Sequence, residues 1–261
     1  MNIKAVVKVM NFHALLRVEN SRNQADLYQT MAEELDDMMD IIMNNRNFQL
    51  DKRVTLPSPD LPVLRIYIGS DLGFCGSVNS SVSGVLTRDN TSEKIVIGKK
   101  LPHPETVALY TTREQYEKDF ETVRAYLAMA VREKRWSAVE LVYNHFYNLS
   151  DIRQEVKRIY PLPPRESRKD REWDDFITED DAGDLLEEML LSCLTYEVRI
   201  AAASAYASEN TMRQNATTES LKKLDEREAE ELRLQRKENT QRSFRKTIDS
   251  FIKQRSLSGQ K

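Results

Sequence analysis

Apolar residues recur at helical spacing near both ends of the sequence. One set near the amino end repeats at intervals of four, four, three and four residues: Leu27, Met31, Leu35, Met38 and Ile42. A second set, nearer the carboxyl end, follows a similar spacing: Leu185, Met189, Leu194, Val198, Ala201 and Ala205. Residues spaced in this way share one face of a helix with about 3.6 residues per turn. The pattern therefore predicts one amphipathic helix at each end of the chain.

Proline and glycine are concentrated in the middle of the sequence. All eight prolines lie between Pro57 and Pro164, and residues 1–56 and 184–258 contain neither residue type. Proline costs about 3 kcal/mol in a helix interior and glycine about 1 kcal/mol, so both flanks can form uninterrupted helices. Some 70 helical residues would extend roughly 105 Å. That length exceeds a compact domain of this mass, so part of the second helix is expected to project.

The two flanking helices are expected to pair with each other. Residues 222–238 mix charges of both signs, as on a solvated helix face, and a helix without an apolar face to bury is unstable alone. We therefore predict that the amino- and carboxy-terminal helices form an antiparallel coiled coil. Because the apolar seam is thin and irregularly spaced, a strict heptad zipper is not expected.

The middle of the chain is predicted to be a small α/β domain. Short apolar runs predict strands over 63–68, 94–97, 107–110 and 138–143. A loop and helix predicted together over 73–87, and a helix predicted over 114–134, alternate with these strands. Such alternation implies a parallel, Rossmann-like sheet with crossover helices. The predicted fold class is α/β plus a long antiparallel coiled coil, in four segments: an amino-terminal helix (1–56), the α/β domain (57–164), a linker (165–183) and a carboxy-terminal helix (184–261).

Composition argues against several classes of function. The 261 residues are 31% charged but carry a formal net charge of only −3, which argues against a general nucleic-acid binder. No stretch approaches the roughly 20 apolar residues of a membrane span, so no direct span is expected. Two cysteines and three histidines are too few for a disulfide scaffold or a zinc site, and we expect neither a metal nor a cofactor. This cysteine usage favours a reducing cytoplasm.

One turn is a candidate for catalysis. Gly73–Phe74–Cys75–Gly76 follows a predicted strand and precedes a predicted helix, a context that can present a nucleophile or hold a phosphate. It matches neither G-x-S-x-G nor G-x-x-x-x-G-K-[ST], and Cys75 would need a histidine base that the sequence does not place beside it. We expect a tight structural turn in which glycine permits positive φ, and no catalytic residue. A small α/β enzyme using Cys75 is the alternative.

Residues 70–80 read Ser-Asp-Leu-Gly-Phe-Cys-Gly-Ser-Val-Asn-Ser. They resemble the Ser-Asp-x-Gly-Leu-Cys-Gly-x-x-Asn segment of the gamma subunit of rotary F-type ATP synthases. Segments 7–17, 142–146 and 190–217 resemble further parts of that family in the same order. The chain therefore looks like a divergent member of the family. The positions that match this motif, expected to form a structural turn, are Ser70, Asp71, Gly73, Cys75, Gly76 and Asn79.

The resemblance implies a noncatalytic central-stalk (rotor) subunit. Such a subunit would couple nucleotide turnover in an alpha/beta hexamer to rotation and proton transport. The implied partners are the alpha and beta subunits, an epsilon-type stalk subunit and, as a further candidate, a channel ring. The implied location is the cytoplasmic side of the cell membrane, as a peripheral part of the complex. The positions implied to contact the alpha and beta subunits are Lys8, Leu15, Arg17, Asn239 and Arg242.

Departures from the family pattern leave a second rotor function open. Between Arg213 and Asn215 the sequence is about four residues shorter than the family, roughly one helical turn. Its last residues, Ser-Leu-Ser-Gly-Gln-Lys over 256–261, differ from the family's apolar tip. The alternative is the rotor subunit of a specialised F-type-like ATPase motor without a proton channel.

Overall fold

The computed structural model describes residues 3–44, 57–161 and 182–258. The chain divides into two compact units, Met1–Asn11 with Thr217–Lys261 and Phe12–Ala216. The elements in chain order are α1 (Ile3–Asn44), β1 (Val63–Ile68), α2 (Val78–Arg88), β2 (Glu93–Ile97), β3 (Val107–Thr111), α3 (Arg113–Lys118), α4 (Glu121–Arg132), β4 (Ala138–Asn148), β5 (Asp151–Tyr160) and α5 (Ala182–Ser258). The predicted fold class is confirmed, with a long helix at each end of an α/β centre. The four segment boundaries stay a prediction.

The five strands form one sheet in the order β3-β2-β1-β4-β5. The first four strands are parallel; in the centre of the sheet Ile66 of β1 lies beside Ile95 of β2 and Leu141 of β4. A large apolar core lies against one face and includes residues of α4 and α5. A smaller cluster that includes Val82 and Leu86 packs α2 against the sheet. β2 and the first half of β4 are buried on both faces, which explains why their sequences are nearly continuous apolar runs.

The fifth strand was missed by the sequence analysis. β4 continues beyond the predicted Tyr143 to Asn148, and β5 returns antiparallel beside it. The Asn148 side chain accepts hydrogen bonds from the backbone N–H groups of Ser150 and Asp151, both at 2.9 Å, which shapes the turn between the strands. β5 lies at the sheet edge and most of its residues are only half-buried or exposed. Its sequence therefore lacks the apolar run by which the other strands were recognised.

The single helix predicted over 114–134 is two helices. α3 begins with a capping box, in which the Thr112 hydroxyl accepts from the backbone N–H of Gln115 and the Gln115 side chain accepts from the backbone N–H of Thr112. The backbone leaves helical geometry at Asp119, with φ −130° and ψ 71°. The apolar stripe continues across the break because Tyr116 and Phe120 pack edge to face, 5.4 Å between ring centroids. Periodicity alone therefore did not reveal the break.

The predicted pairing of the terminal helices is confirmed in each compact unit. In the first unit, the Asn11 amide donates to Thr217 Oγ1 at 2.9 Å, and Lys4 Nζ lies 2.6 Å from Glu228 Oε2. In the second unit, the Tyr28 ring of α1 lies 6.2 Å from the Tyr196 ring of α5. Within each unit the residue number on α5 falls as the number on α1 rises. The two helices are therefore antiparallel.

The apolar stripe predicted for α1 is largely wrong. Leu27, Met31 and Met38 are exposed, Leu35 is half-buried, and the side chain of Ile42 lies outside the described residues. The buried or half-buried positions instead include an unbroken heptad series: Val7, Asn11, Ala14, Val18, Ser21, Ala25, Tyr28, Ala32, Leu35 and Met39. On α5, where every side chain over 196–214 is buried or half-buried, the same spacing stands out only beyond Asn215, at Thr217, Leu221 and Leu224.

This regular spacing also overturns the expectation of an irregular seam. The intervals alternate between four and three residues on both helices, which is the spacing of a left-handed coiled coil. Many positions are alanine or small polar residues, which allow two helix backbones to approach closely. The sequence analysis weighted large apolar side chains, and several of those point outward.

The carboxy-terminal part of α5 is exposed. All side chains from Asp225 to Ser250 are exposed, including Leu232, Leu234 and Phe244. α1 begins at Ile3 and its Lys4 already reaches Glu228. The rest of α5, to Ser258, therefore extends past the described start of α1. No helix in the described parts of the chain is both long and apolar enough to cross a membrane.

Candidate functional site

The turn between β1 and α2 is held by a small network of side chains. The backbone N–H of Ser70 donates to Asn79 Oδ1 at 3.0 Å, and Asn79 Nδ2 donates to Ser70 Oγ at 2.8 Å. The same Asn79 nitrogen lies 3.2 Å from Cys75 Sγ, and Ser70 Oγ donates to the Leu72 carbonyl at 2.7 Å. Ser70 and Cys75 are buried. These contacts fold residues 70–79 back on themselves.

Asp71 joins the turn to its neighbours at the carboxyl edge of the sheet. Its Oδ1 accepts from the backbone N–H of Lys99 at 2.7 Å and of Arg113 at 3.1 Å. Its Oδ2 accepts from the backbone N–H of Glu114 at 3.3 Å. Lys99 follows β2, and Arg113 and Glu114 begin α3 after β3. One carboxylate therefore holds together the ends of β1, β2 and β3.

Two residues of the turn have positive φ. Gly76 has φ +59°, and a Cβ there would lie 2.6 Å from Met212 Cε of α5. Phe74 has φ +61° although it is not glycine, and its side chain is 77% exposed. Gly73 has open space where a side chain would begin, and its carbonyl accepts from the Arg213 guanidinium at 3.4 Å. The turn therefore contacts α5 directly.

α5 occupies part of the crevice where this kind of sheet usually binds a ligand. In doubly wound sheets, ligands bind at the carboxyl ends of the strands where the strand order reverses, here between β1 and β4. Ser208 Oγ donates to the Asn144 carbonyl at 3.0 Å, and the backbone N–H of Phe146 donates to Ser204 Oγ at 2.9 Å. Together with Arg213 at Gly73, these contacts place α5 against the ends of both strands.

A cleft of about 440 Å³ remains beside α5. Its lining includes Ser77, which immediately precedes α2, Ser81 of α2, Gln154 of β5 and Asn215 of α5. No Lys, Arg, His, Asp or Glu is among the described residues that line it. The described parts of the chain also contain no group of three or more His, Cys, Asp or Glu residues that could hold a metal ion.

The Cys75 thiol is not assembled with a histidine base. Its hydrogen-bonding contacts in the described structure are Ser70, the Leu72 carbonyl and Asn79. The His145 ring contacts the hydroxyls of Tyr143 and Ser204, and the His103 ring lies 3.7 Å from that of Tyr110. Nucleophilic catalysis by cysteine requires an activating base within hydrogen-bond reach. The described geometry does not supply one.

A buried ion cluster joins α5 to α3. Glu209 and Arg213 are one helical turn apart on α5, are both buried, and form an ion pair. The Arg113 guanidinium lies 4.0 Å from the second Glu209 oxygen and 3.1 Å from the centroid of the Tyr206 ring. Burial raises the pKa of the Glu209 carboxyl above its usual value, although Arg213 and Arg113 each lower it in part.

The sequence analysis did not identify this cluster. A signal was available, because Glu209 and Arg213 are the only charged residues between Ile200 and Asn215, a stretch rich in alanine and small polar residues. An acid and a base four residues apart can pair on one helix face. That Arg113 would join them depended on the fold.

The five predicted shaft positions are all exposed. Lys8, Leu15 and Arg17 lie on α1, and Asn239 and Arg242 lie on the exposed part of α5. By their contacts, Leu15 and Arg17 belong to the second compact unit and the other three to the first. Their role as contacts of the shaft stays a prediction.

Comparison with known proteins identifies the family. The family model described as ATP synthase matches residues 1–247. An ATP synthase gamma chain of Geobacter metallireducens is 20% identical over 244 residues, which cover 86% of this chain and 83% of the relative. One from Clostridium perfringens is 23% identical over 239 residues, with the same shares covered.

The fold is also found in a solved structure. The chain matches the central stalk and c-ring structure of the Tetrahymena thermophila mitochondrial ATP synthase with a TM-score of 0.57 and 20% identity, covering 82% of this chain and 99% of the matched chain. The paired terminal helices and the α/β domain of this chain match the fold of that structure. The chain belongs to the gamma-subunit family of the rotary ATP synthase.

Proposed function

We propose that the chain is the noncatalytic rotor subunit of a rotary F-type ATP synthase or ATPase. The observation that carries the proposal is the antiparallel pairing of α1 with α5 together with the exposed remainder of α5. A helix of this kind offers a surface on all sides and no enclosed reactive group. Its work would be mechanical, coupling nucleotide turnover in the alpha/beta hexamer to rotation and proton transport.

Exposed side chains on the two long helices would contact the alpha and beta subunits. Besides Lys8, Leu15 and Arg17, the outward side of α1 presents large apolar residues that pairing with α5 leaves exposed: Val9, Phe12 and Leu16. Exposed apolar groups on a helix favour an environment in which another protein covers them. Asn239 and Arg242 would make polar contacts with beta from the exposed part of α5.

The α/β domain would form the base of the rotor. In this proposal the four segments keep their predicted bounds, and residues 70, 71, 73, 75, 76 and 79 shape the turn that attaches the base to α5. An epsilon-type stalk subunit and a channel ring are the further partners proposed. The complex would lie on the cytoplasmic side of the cell membrane.

A specialised ATPase motor without a proton channel is the second candidate function. The sequence favours it at two points, the shorter segment between Arg213 and Asn215 and the polar carboxyl end at 256–261. The gene neighbourhood and the purified complex discriminate between the two functions. A channel-ring subunit, encoded in the gene neighbourhood or present in the purified complex, would exclude the specialised motor.

Affinity purification of the tagged full-length chain from its own cells tests the rotor function. We expect alpha and beta subunits to co-purify with ATPase activity. Arg242→Glu should reduce that activity, because it reverses the charge of a proposed contact with beta. Lys118→Glu, an equally charged change on the exposed surface of α3, is the matched control and should have no effect. A chain that purifies alone as a stable monomer would refute the proposal.

A further inference from the structure

A ring of polar contacts links α5 to the sheet. Arg213 pairs with Glu209 on α5 and donates to the carbonyl of Gly73 in the turn after β1. The other Glu209 oxygen faces Arg113 at 4.0 Å, and the backbone N–H of Arg113 donates to Asp71 at 3.1 Å. Asp71 and Gly73 belong to the same turn, so the five residues close a circuit through α5, α3 and the carboxyl edge of the sheet.

A contribution to the free energy of unfolding is a weak explanation for a buried cluster of charged residues. Buried ion pairs are expensive to desolvate, and replacement by well-packed apolar residues is often neutral or stabilising. The raised pKa of Glu209 agrees with a substantial desolvation penalty at this position. Charged hydrogen bonds fix the direction and the distance between two groups, whereas apolar contacts are not directional.

The surroundings of the cluster make that direction important. The neighbouring buried positions of α5 are small: Ala201, Ala203, Ala205 and Ala207. Small side chains interlock weakly, so they resist rotation or sliding of a helix less than large ones do. Arg113 is itself held on two sides, by the Tyr206 ring at 3.1 Å and by Glu117 Oε1, 2.7 Å from its Nε.

We propose that Glu209, Arg213 and Arg113 form a lock that fixes the position of the α/β domain on α5. We call the transfer of torque between α5 and the α/β domain through this lock the torque step. The torque step rests on the rotor function proposed above. The residues act by position and touch no substrate.

Hydrogen exchange of the isolated full-length chain tests the lock. In Arg213→Met, which keeps the length and apolar stem of the side chain, we expect backbone amides in residues 70–79 to exchange at least tenfold faster. Peptides from β1 and β4 should stay within twofold of the wild type. The matched control is Lys223→Met, which breaks an exposed pair of the same spacing with Glu219 on the same helix and should leave residues 70–79 unchanged.

A second variant tests the lock if Arg213→Met does not fold normally. If Arg213→Met lowers protection throughout the chain, Arg113→Met removes a more exposed member of the cluster and should give the same local increase. Exchange of residues 70–79 within twofold of the wild type in a folded variant would overturn the lock.

The torque step is measured in the complex assembled with alpha and beta subunits. A probe on the α/β domain should rotate less per ATP hydrolysed in Arg213→Met than in the wild type or Lys223→Met. Equal rotation per ATP would overturn this step. If the wild-type chain does not assemble at all, the rotor function and the torque step both fail, and the exchange experiment alone decides the lock.

Discussion

The side-chain amide of Asn11 on α1 donates hydrogen bonds to the hydroxyls of Thr217 at 2.9 Å and Thr218 at 2.8 Å on α5. Asn11 and Thr217 occupy seam positions of the two heptad series. A polar residue at one seam position fixes the register of two helices, because any shifted pairing leaves it without its partner. Asn11 therefore helps to set which residues of the two helices lie side by side.

Asn11→Ala should destabilise the pairing of α1 with α5 by about 1 kcal/mol, the usual net value of a lost hydrogen bond. Urea unfolding of the isolated chain, followed by circular dichroism, measures the change. Asn23→Ala, the same substitution at an exposed position of the same helix, is the control and should have little effect. Equal effects of the two substitutions would argue against a role for Asn11 in the register.

Because the seam between α1 and α5 consists largely of small residues, we expect a larger apolar side chain at a seam position to destabilise the chain. Ala14 is 1% exposed, whereas Leu27 is 53% exposed. Ala14→Leu should therefore destabilise the chain by about 1–3 kcal/mol through overpacking, although it adds an apolar side chain. Leu27→Ala should change stability by less than about 0.5 kcal/mol. Thermal unfolding of both variants checks this, and the opposite ranking would restore the stripe predicted from the sequence.

Two glycines of the same turn should respond differently to substitution. Gly76→Ala places a Cβ at φ +59° and against Met212, and we expect a loss of about 1–2 kcal/mol from the left-handed backbone. Gly73→Ala meets no atom within 4 Å and should be nearly neutral. Denaturant unfolding compares them. A neutral Gly76→Ala would show that the turn adopts a different backbone conformation.

Acid should destabilise the α/β domain through Asp89. Burial alone would raise its pKa, but hydrogen bonds from Ser92, Tyr67 and Thr91 outweigh burial and hold the pKa well below the ordinary 3.8. A lowered folded-state pKa contributes stability that is present above 3.8 and is lost as the pH falls toward the folded value. Tyr67 Oη lies 2.6 Å from the carboxylate and Arg65 Nη1 lies 3.2 Å from it.

Asp89→Asn should therefore be less stable than the wild type at pH 7 and should lose less further stability below pH 3.8. Melting temperatures measured between neutral and acid pH give both quantities. Asp60→Asn, at an exposed position, should reproduce the wild-type pH dependence. Parallel curves for wild type and Asp89→Asn would exclude Asp89 as a source of acid sensitivity.

The exposed end of α5 should exchange its amides quickly in the isolated chain. Residues 225–250 bury no side chain in the described structure, and helical stability comes mainly from packing an apolar face. Mass-resolved hydrogen exchange should show these amides exchanging faster than those of β1 and β4. Slower exchange at this end than in the sheet would contradict the assignment of α5 as an exposed shaft.

The sequence by itself determined the order and type of most elements. The absence of proline and glycine from both flanks permitted α1 and α5, and apolar runs located β1, β2, β3 and the first half of β4. β5 escaped notice because most of its residues are half-buried or exposed and its sequence has no apolar run. The break between α3 and α4 was hidden because Tyr116 and Phe120 continue one stripe across it.

Only the tertiary structure decided which faces of these elements meet. The seam of α1 and α5 passes through alanine and small polar residues, whose burial depends on how closely two backbones approach and not on their own hydrophobicity. Arg113 and Glu209 are 96 positions apart in the sequence, and they meet because β3 ends at the edge of the sheet that α5 contacts. Local spacing can specify a helix or a strand, but contacts between distant residues are fixed only when the chain packs.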